Sequence, residues 1–246
     1  MNPEIEIAKW DSEFFRYKVG RVDLPTICDA AILASFADAL LRQAHEQRFR
    51  LVYAFAKSPL ATPSHLDLAK HGLRGVGGKR EYVKELPSIS LSGAGSGEIV
   101  MCRAVSPSIV NLALQSGALS RYRVDPGFSE NEYERLYTEW IRKSVDGEGG
   151  SRAFILGMVD EPKGLITFDS EGGDGRIGLL AVDGHSRRLG IGRKLVGHAL
   201  SVASEKGFRK LHVSTQSGNR AACALYEECG FTMISETEIF HLWVDS

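Results

Sequence analysis

Apolar residues recur along the chain with two different periods, and the switches between them outline the expected elements. Short β-like runs at Val19 to Leu24, Leu51 to Ala56 and Arg80 to Leu86 alternate with helical spacing over Cys28 to Gln47 and Ser64 to His71. They predict a small α/β unit of about ninety residues, an ordinary size for a small domain. From Pro87 to Gly97 the chain reads P-S-I-S-L-S-G-A-G-S-G, where serine and glycine dominate and the periodicity lapses. This stretch divides the chain into an N-terminal domain over 1–90, a linker over 91–97 and a second domain over 98–246.

In the second domain Glu98 to Arg103 predicts a strand and Ser106 to Ser116 a helix. Glu130 to Val145 predicts an amphipathic helix with Tyr133, Leu136, Tyr137 and Trp140 on one face. Arg152 to Val159, Gly164 to Asp169 and Arg176 to Val182 are three β runs, joined by Glu161-Pro162-Lys163 and by Gly172-Gly173-Asp174-Gly175. Connections so short and turn-rich predict an antiparallel meander. A helix over Gly190 to Lys206, a strand over Lys210 to Ser214, a helix over Asn219 to Glu228 and a strand over Phe231 to Val244 complete the pattern. The final run could offer an open edge to a second copy of the chain, which makes a homodimer one expected assembly.

Charge narrows the partners. Thirty basic residues against 31 acidic ones leave a formal charge of -1, so no global field gathers nucleic acid or an anionic membrane. Neither is expected as a partner. Cys28, Cys102, Cys223 and Cys229 are scattered without a C-x-x-C pair, which speaks against a metal site and for reduced thiols. Met1 to Asp11 has acidic residues and no apolar core, unlike a secretory signal. The longest apolar runs, such as Leu179 to Val182, fall far short of the roughly 20 residues that span a bilayer. A cytoplasmic protein is expected.

Between a strand and a helix lies Val182-Asp183-Gly184-His185-Ser186-Arg187-Arg188-Leu189-Gly190-Ile191-Gly192, with arginine and glycine concentrated at the helix start. Helix N-termini expose unpaired N–H groups and the positive end of the macrodipole, which favours phosphate. Glycine at 190 and 192 removes Cβ atoms near those amides, and arginines add charge-assisted hydrogen bonds. The ATP-binding loop would need Gly-Lys-Ser/Thr, which is missing here, and the dinucleotide fingerprint would need glycine where Leu195 stands. A solvated helix start would carry the same residues. The following segment decides between them.

With the pattern R-x-x-G-x-G from Arg187 to Gly192 and N-x6-Y-x3-G-F from Asn219 to Phe231, the chain resembles the GNAT acyltransferase superfamily. That resemblance implies an α/β (α+β) fold with a mixed, mostly antiparallel central sheet flanked by helices. It implies acetyl-CoA as co-substrate, with its pyrophosphate at Arg187, Arg188, Leu189, Gly190, Ile191, Gly192 and Arg193. Leu180, Ala181 and Val182 would offer backbone groups to the pantetheine and acyl carbonyl, Asn219 would contact the pantetheine arm, and Ala222 would be a further cofactor-binding residue. Gly184, where many members carry proline, departs from the pattern.

Tyr226, seven positions after Asn219, lies on the same helix face and by resemblance near the sulfur. A phenol with a reference pKa of about 10 stays protonated at neutral pH and can give its proton to the departing thiolate. For the proton lost by the amine, His185, His198 and His212 qualify by type alone, and a water chain is an equal alternative.

Over its whole length the chain further resembles acetyltransferases of bacterial surface-polysaccharide synthesis, through W-D-S-E-F-F at Trp10, S-R-Y-R at Ser120, Y-x2-W-I at Tyr137 and R-I-G-L-L-A at Arg176. This implies a partial GNAT-like N-terminal domain. It also implies that the acceptor is the amine of a nucleotide-linked deoxyamino sugar, held near Arg121, Tyr122 and Arg123. A protein N-terminus or a polyamine would be an alternative acceptor, expected to need carboxylates in place of arginines. A non-catalytic acyl-CoA-binding module is the alternative of another class.

Overall fold

The computed structural model describes residues 2–25, 29–57, 68–87 and 98–244. The chain forms two compact units, Met1–Lys79 with Glu236–Ser246, and Arg80–Ser235. The serine/glycine stretch expected as a linker over 91–97 lies outside the described residues, as do Cys28 and the start of the helix expected from Ser64.

The first unit opens with β1 (Glu6–Ile7), α1 (Lys9–Phe15), β2 (Val19–Asp23), α2 (Ala30–Glu46) and β3 (Leu51–Lys57). Its other strands are the first part of β4 (Leu73–Glu85) and most of β10 (Thr232–Trp243). β1 pairs antiparallel with β2, β2 parallel with β3, and β3 antiparallel with β10, which has β4 on its other side. The strand expected to offer an open edge is therefore internal, and that route to a dimer is absent. α2 follows from Asp29 at its N-cap and from apolar residues at helical spacing. It buries Phe36, Ala37, Leu40 and Ala44 against Val52 and Ala54 of β3 and Phe240 and Leu242 of β10.

The second unit has the strand order β4-β9-β8-β7-β6-β5, built from β5 (Ile99–Met101), β6 (Arg152–Gly157), β7 (Pro162–Glu171), β8 (Asp174–Val182), β9 (Lys210–Gln216) and the second part of β4. β5 to β8 pair antiparallel, giving the expected meander, while β8 and β9 pair in parallel. A mixed sheet flanked by helices results. α3 (Pro107–Ser116) begins at Ser106, whose hydroxyl accepts from Ile109 N, with proline in its first turn. α5 (Glu130–Asp146) begins with a capping box between Ser129 and Glu132. The short α4 (Arg121–Val124) lies between them.

α6 (Ile191–Glu205) packs Leu195, Val196 and Ala199 on Phe154, Ile166 and Phe168. α3 and α5 cover the alternate residues of the same strands, on the other face. α7 (Arg220–Glu228) adds Cys223 and Tyr226 to the α6 side of the core. Of the aromatic stripe expected on α5, Tyr133 and Tyr137 are buried, whereas Trp140 is 38% exposed and stacks on Tyr137. Among the described residues no helix is long and apolar enough to cross a membrane.

Candidate active site

The site begins where two strands part. β8 and β9 are paired only from Gly175↔Leu211 to Ile177↔Val213, although β8 continues to Val182 and β9 to Gln216. Beyond Ile177 the backbone groups of β8 on that side have no ladder partner in β9, and a backbone group without a partner is costly unless something else meets it. The strand retains its β7 pairing on the other side, through Ile166↔Leu180 and Gly164↔Val182. It is an open edge held rigid from behind.

Beside it lies a cleft of about 640 Å³. Leu180, Ala181, Val182, Arg187, Arg188, Gly190, Ile191, Gly192, Arg193, Asn219 and Ala222 all line it, so the structure brings together most of the residues expected from sequence. Leu189 does not, and is 68% exposed. Sequence reasoning missed the wall formed by Gln115, Ser116, Ala118 and Leu119 at the end of α3. The half-exposed Leu119 is the trace such a wall leaves, but no spacing announces it.

The start of α6 is equipped for an anion. Its N-cap, Gly190, has φ +75° and supplies no side-chain hydrogen bond to the first-turn amides. An L side chain would strain that left-handed backbone, whereas glycine adopts it freely. Gly192 serves packing instead, because a Cβ there would lie 3.1 Å from Leu225 of α7. Gly184 has open space around it, in a short 3-10 turn capped by Asp183, whose carboxylate accepts from His185 N at 2.9 Å. Arg188 is itself left-handed at φ +63°, a strain of about 1 kcal/mol for a residue with a Cβ. Arg187 Nε donates to the Val182 carbonyl (3.2 Å) and its Nη2 to Gln115 Oε1 (3.2 Å), while Arg193 pairs with Glu228 at 2.6 Å. Three guanidinium groups and bare helix amides suit a diphosphate. The donor set fits acyl-CoA.

Tyr226 stands behind this lining, not in it. Its ring is 4% exposed, with Tyr82 at 6.0 Å and Phe231 at 5.9 Å between centroids. Burial pushes its pKa well above the usual tyrosine value, so the phenol keeps its proton at neutral pH. Asn219 begins α7 as its N-cap, its Oδ1 accepting from Ala222 N at 3.2 Å. That leaves its amide N–H₂ group as the donor that can face the cleft.

The remaining expected residues lie apart from the cleft lining. Arg121 Nη2 donates to the Tyr122 hydroxyl (2.6 Å), and its guanidinium sits 4.7 Å from that ring. Arg123 donates to Glu130 (2.9 Å) and lies over Tyr133. Of the histidines, His185 is fully exposed and His212 meets Asp174 at 3.3 Å. His198 is half-buried against Phe154, and burial lowers its pKa. Among the described residues no group of three or more His, Cys, Asp and Glu could hold a metal ion.

Comparison with known proteins agrees with this geometry. Residues 117–231 match the Acetyltransferase (GNAT) family. The dTDP-fucosamine acetyltransferase of Escherichia coli O6:H1 is 29% identical over 92% of this chain and 92% of its own. Among solved structures, a functionally unknown conserved protein from Staphylococcus epidermidis aligns with TM-score 0.61 at 10% identity, over 93% of this chain and 85% of that one. A GCN5-related N-acetyltransferase from Sphaerobacter thermophilus aligns with TM-score 0.56 at 16% identity, over 93% and 74%. The structural matches establish the fold alone, while the sequence matches carry the chemistry: residues 117–231 are similar to the GNAT family, and together with the acetyltransferase relative they support an acyl-CoA-dependent N-acetyltransferase.

Proposed function

We propose that the enzyme moves an acetyl group from acetyl-CoA to the primary amine of a nucleotide-linked deoxyamino sugar, by direct attack in a ternary complex. The observation that carries the reading is the opening between β8 and β9 beside a bare, arginine-flanked helix start. In this reading the first-turn amides of α6, with Arg187, Arg188 and Arg193, hold the pyrophosphate. The free edge from Gly178 to Val182 pairs with the pantetheine amides as a further strand would. Asn219 donates to the arm, and Tyr226 gives its proton to the departing sulfur.

The acceptor is read from likeness across both units to an enzyme named for dTDP-fucosamine. The cleft lining supports it. Among the described residues Glu228 is the one carboxylate there, and it is already paired with Arg193, so a polycationic acceptor finds little to hold it. Arg121 and Arg123, each beside a tyrosine ring, are assigned to the nucleotide diphosphate of the acceptor. The N-terminal unit, with its own parallel strand-helix-strand, is assigned as a partial GNAT-like domain.

Thiol release from acetyl-CoA tests the reading across dTDP-fucosamine, other amino-sugar nucleotides, peptides and polyamines. The sugar nucleotides should give the highest kcat/KM, with intersecting double-reciprocal lines for the two substrates. A peptide or polyamine turned over more efficiently would overturn the acceptor, and parallel lines the ternary complex.

A further inference from the structure

β8 carries a bulge at the point where it leaves β9. Its ladder with β7 runs Asp169↔Arg176 and Phe168↔Ile177 and resumes at Ile166↔Leu180, so Thr167 alone stands across from both Gly178 and Leu179. Bulges of this kind bend a strand and re-aim its groups. Ile177 is also the last β8 residue paired with β9. The bulge therefore marks the inner end of the opening.

What it gathers is polar. A Cβ on Gly178 would lie 2.7 Å from Thr167 Oγ1, 2.8 Å from Asp169 Oδ2 and 3.3 Å from Trp140 Nε1, so only glycine lets these groups close around one backbone position. Thr167 is fully buried and its Oγ1 accepts from Leu179 N at 2.7 Å, which occupies it in holding the bulge. Asp169 is oriented through its other oxygen, Oδ1, by the Ser151 hydroxyl, which in turn meets Ser144 of α5 at 3.3 Å. The carboxylate is partly exposed, and it reaches the strand backbone beside the indole N–H of an α5 tryptophan that the core does not absorb. Charged and titratable groups on the neighbouring strands include Arg176, its cross-strand neighbour on β8, and His212, across from Arg176 on β9 and held by Asp174.

We propose that Asp169 takes the proton from the attacking amine, with Trp140 Nε1 and the Gly178 backbone forming the surface on which that amine sits. The assignment rests on the reading above that an amine approaches the β8–β9 opening. A neutral amine that bonds to the acyl carbon carries one proton too many. Asp169 accepts it as the carbon–nitrogen bond forms; the carbon–sulfur bond breaks with its electron pair going to sulfur, and Tyr226 protonates that sulfur. Exchange with water returns the proton from Asp169 and restores Tyr226, so one amine and one thioester become one amide and one thiol. The role left open among His185, His198 and His212 passes to a carboxylate that already stands at the opening.

The test measures thiol release and acetyl-CoA binding for the wild type, Asp169→Asn and Asp169→Ala, with the same amine panel. Asp169→Asn should lower kcat by roughly 100-fold or more, the scale of a lost acid–base group, while the acetyl-CoA Kd stays within twofold. Sodium formate should restore part of the turnover of Asp169→Ala, where it has space to enter, and none of Asp169→Asn. A side chain that merely supported the fold would not respond to formate. A kcat for Asp169→Asn within threefold of wild type, a parallel loss of acetyl-CoA binding, or no response to formate each overturns the proposal. If the wild type acetylates another amine but not dTDP-fucosamine, the acceptor assignment fails, and the Asp169 comparison is made with the amine that reacts.

Discussion

The two units each contain a parallel strand-helix-strand, and the pair invites comparison. In the first, β2 stays paired with β3 along its whole length, from Val19↔Leu51 to Asp23↔Phe55. In the second, β8 and β9 share three rungs and then part. The Asp29 carboxylate caps α2 by accepting from Ala31 N (2.8 Å) and Ile32 N (3.2 Å), whereas α6 starts on a glycine with no side-chain cap. The topology is the same, but one copy satisfies itself and the other leaves its backbone groups for a ligand. On the proposed reading, the capacity to bind acyl-CoA comes from two omissions, missing rungs and a missing cap, more than from any added group. A cap of the Asp29 kind contributes about 1 kcal/mol, which the second unit forgoes.

The comparison can be sharpened or broken by substitution. The largest effect is expected from Tyr226→Phe, which keeps the ring in its buried place: kcat should fall by roughly 100-fold or more with acetyl-CoA affinity unchanged, as followed by thiol release and calorimetry. Full activity would remove the tyrosine from the chemistry. Next, Gly190→Asp places a carboxylate where the first unit has one. Charge repulsion should weaken acetyl-CoA by roughly ten- to a hundredfold in titration calorimetry. An unchanged Kd would mean the α6 terminus does not hold the pyrophosphate.

The mirror experiment, Asp29→Ala, should cost about 1 kcal/mol in denaturant unfolding and leave the acetyl-CoA Kd alone. A changed Kd would show that the first unit takes part in binding. The smallest effect concerns pH. Burial lowers the folded-state pKa of His198 below its unfolded value, so the folded protein binds fewer protons there. Its contribution to stability is intact above about pH 6.5 and declines as pH falls below it. Melting temperatures recorded across that window should slope less in His198→Leu, and an unaltered slope would assign the pH dependence elsewhere.

Much of the second unit was legible because its elements are local. Three alternating runs separated by turn residues make a meander, and the glycines, Asn219 and Tyr226 fall at fixed offsets along two helices. The first unit was harder. α1 starts at Ala8 without a side-chain cap and ends on Arg16 at φ +62°, so neither terminus has the residue that announces it. The first half of β4 reads L-R-G-V-G-G-K, and its glycines look like turns. The partner of β10 is a strand some 180 residues earlier in the chain, a pairing that no periodicity reveals. Within the site, Asp169 reads as the polar end of a strand before a glycine turn. Its surroundings arise from a one-residue slip in the β7–β8 ladder, which sequence patterns do not register.

The internal position of β10 also sets an order on synthesis. Domains commonly fold as they leave the ribosome, amino end first. Here Phe240, Leu242 and Val244 belong to the core built by α2 and β3, so the first unit cannot close until residue 244 has been made. The second unit, whose residues all lie between Arg80 and Ser235, has every one of its strands earlier. The catalytic unit is thus positioned to mature first, while the segment translated before it waits with an unfilled gap between β3 and β4.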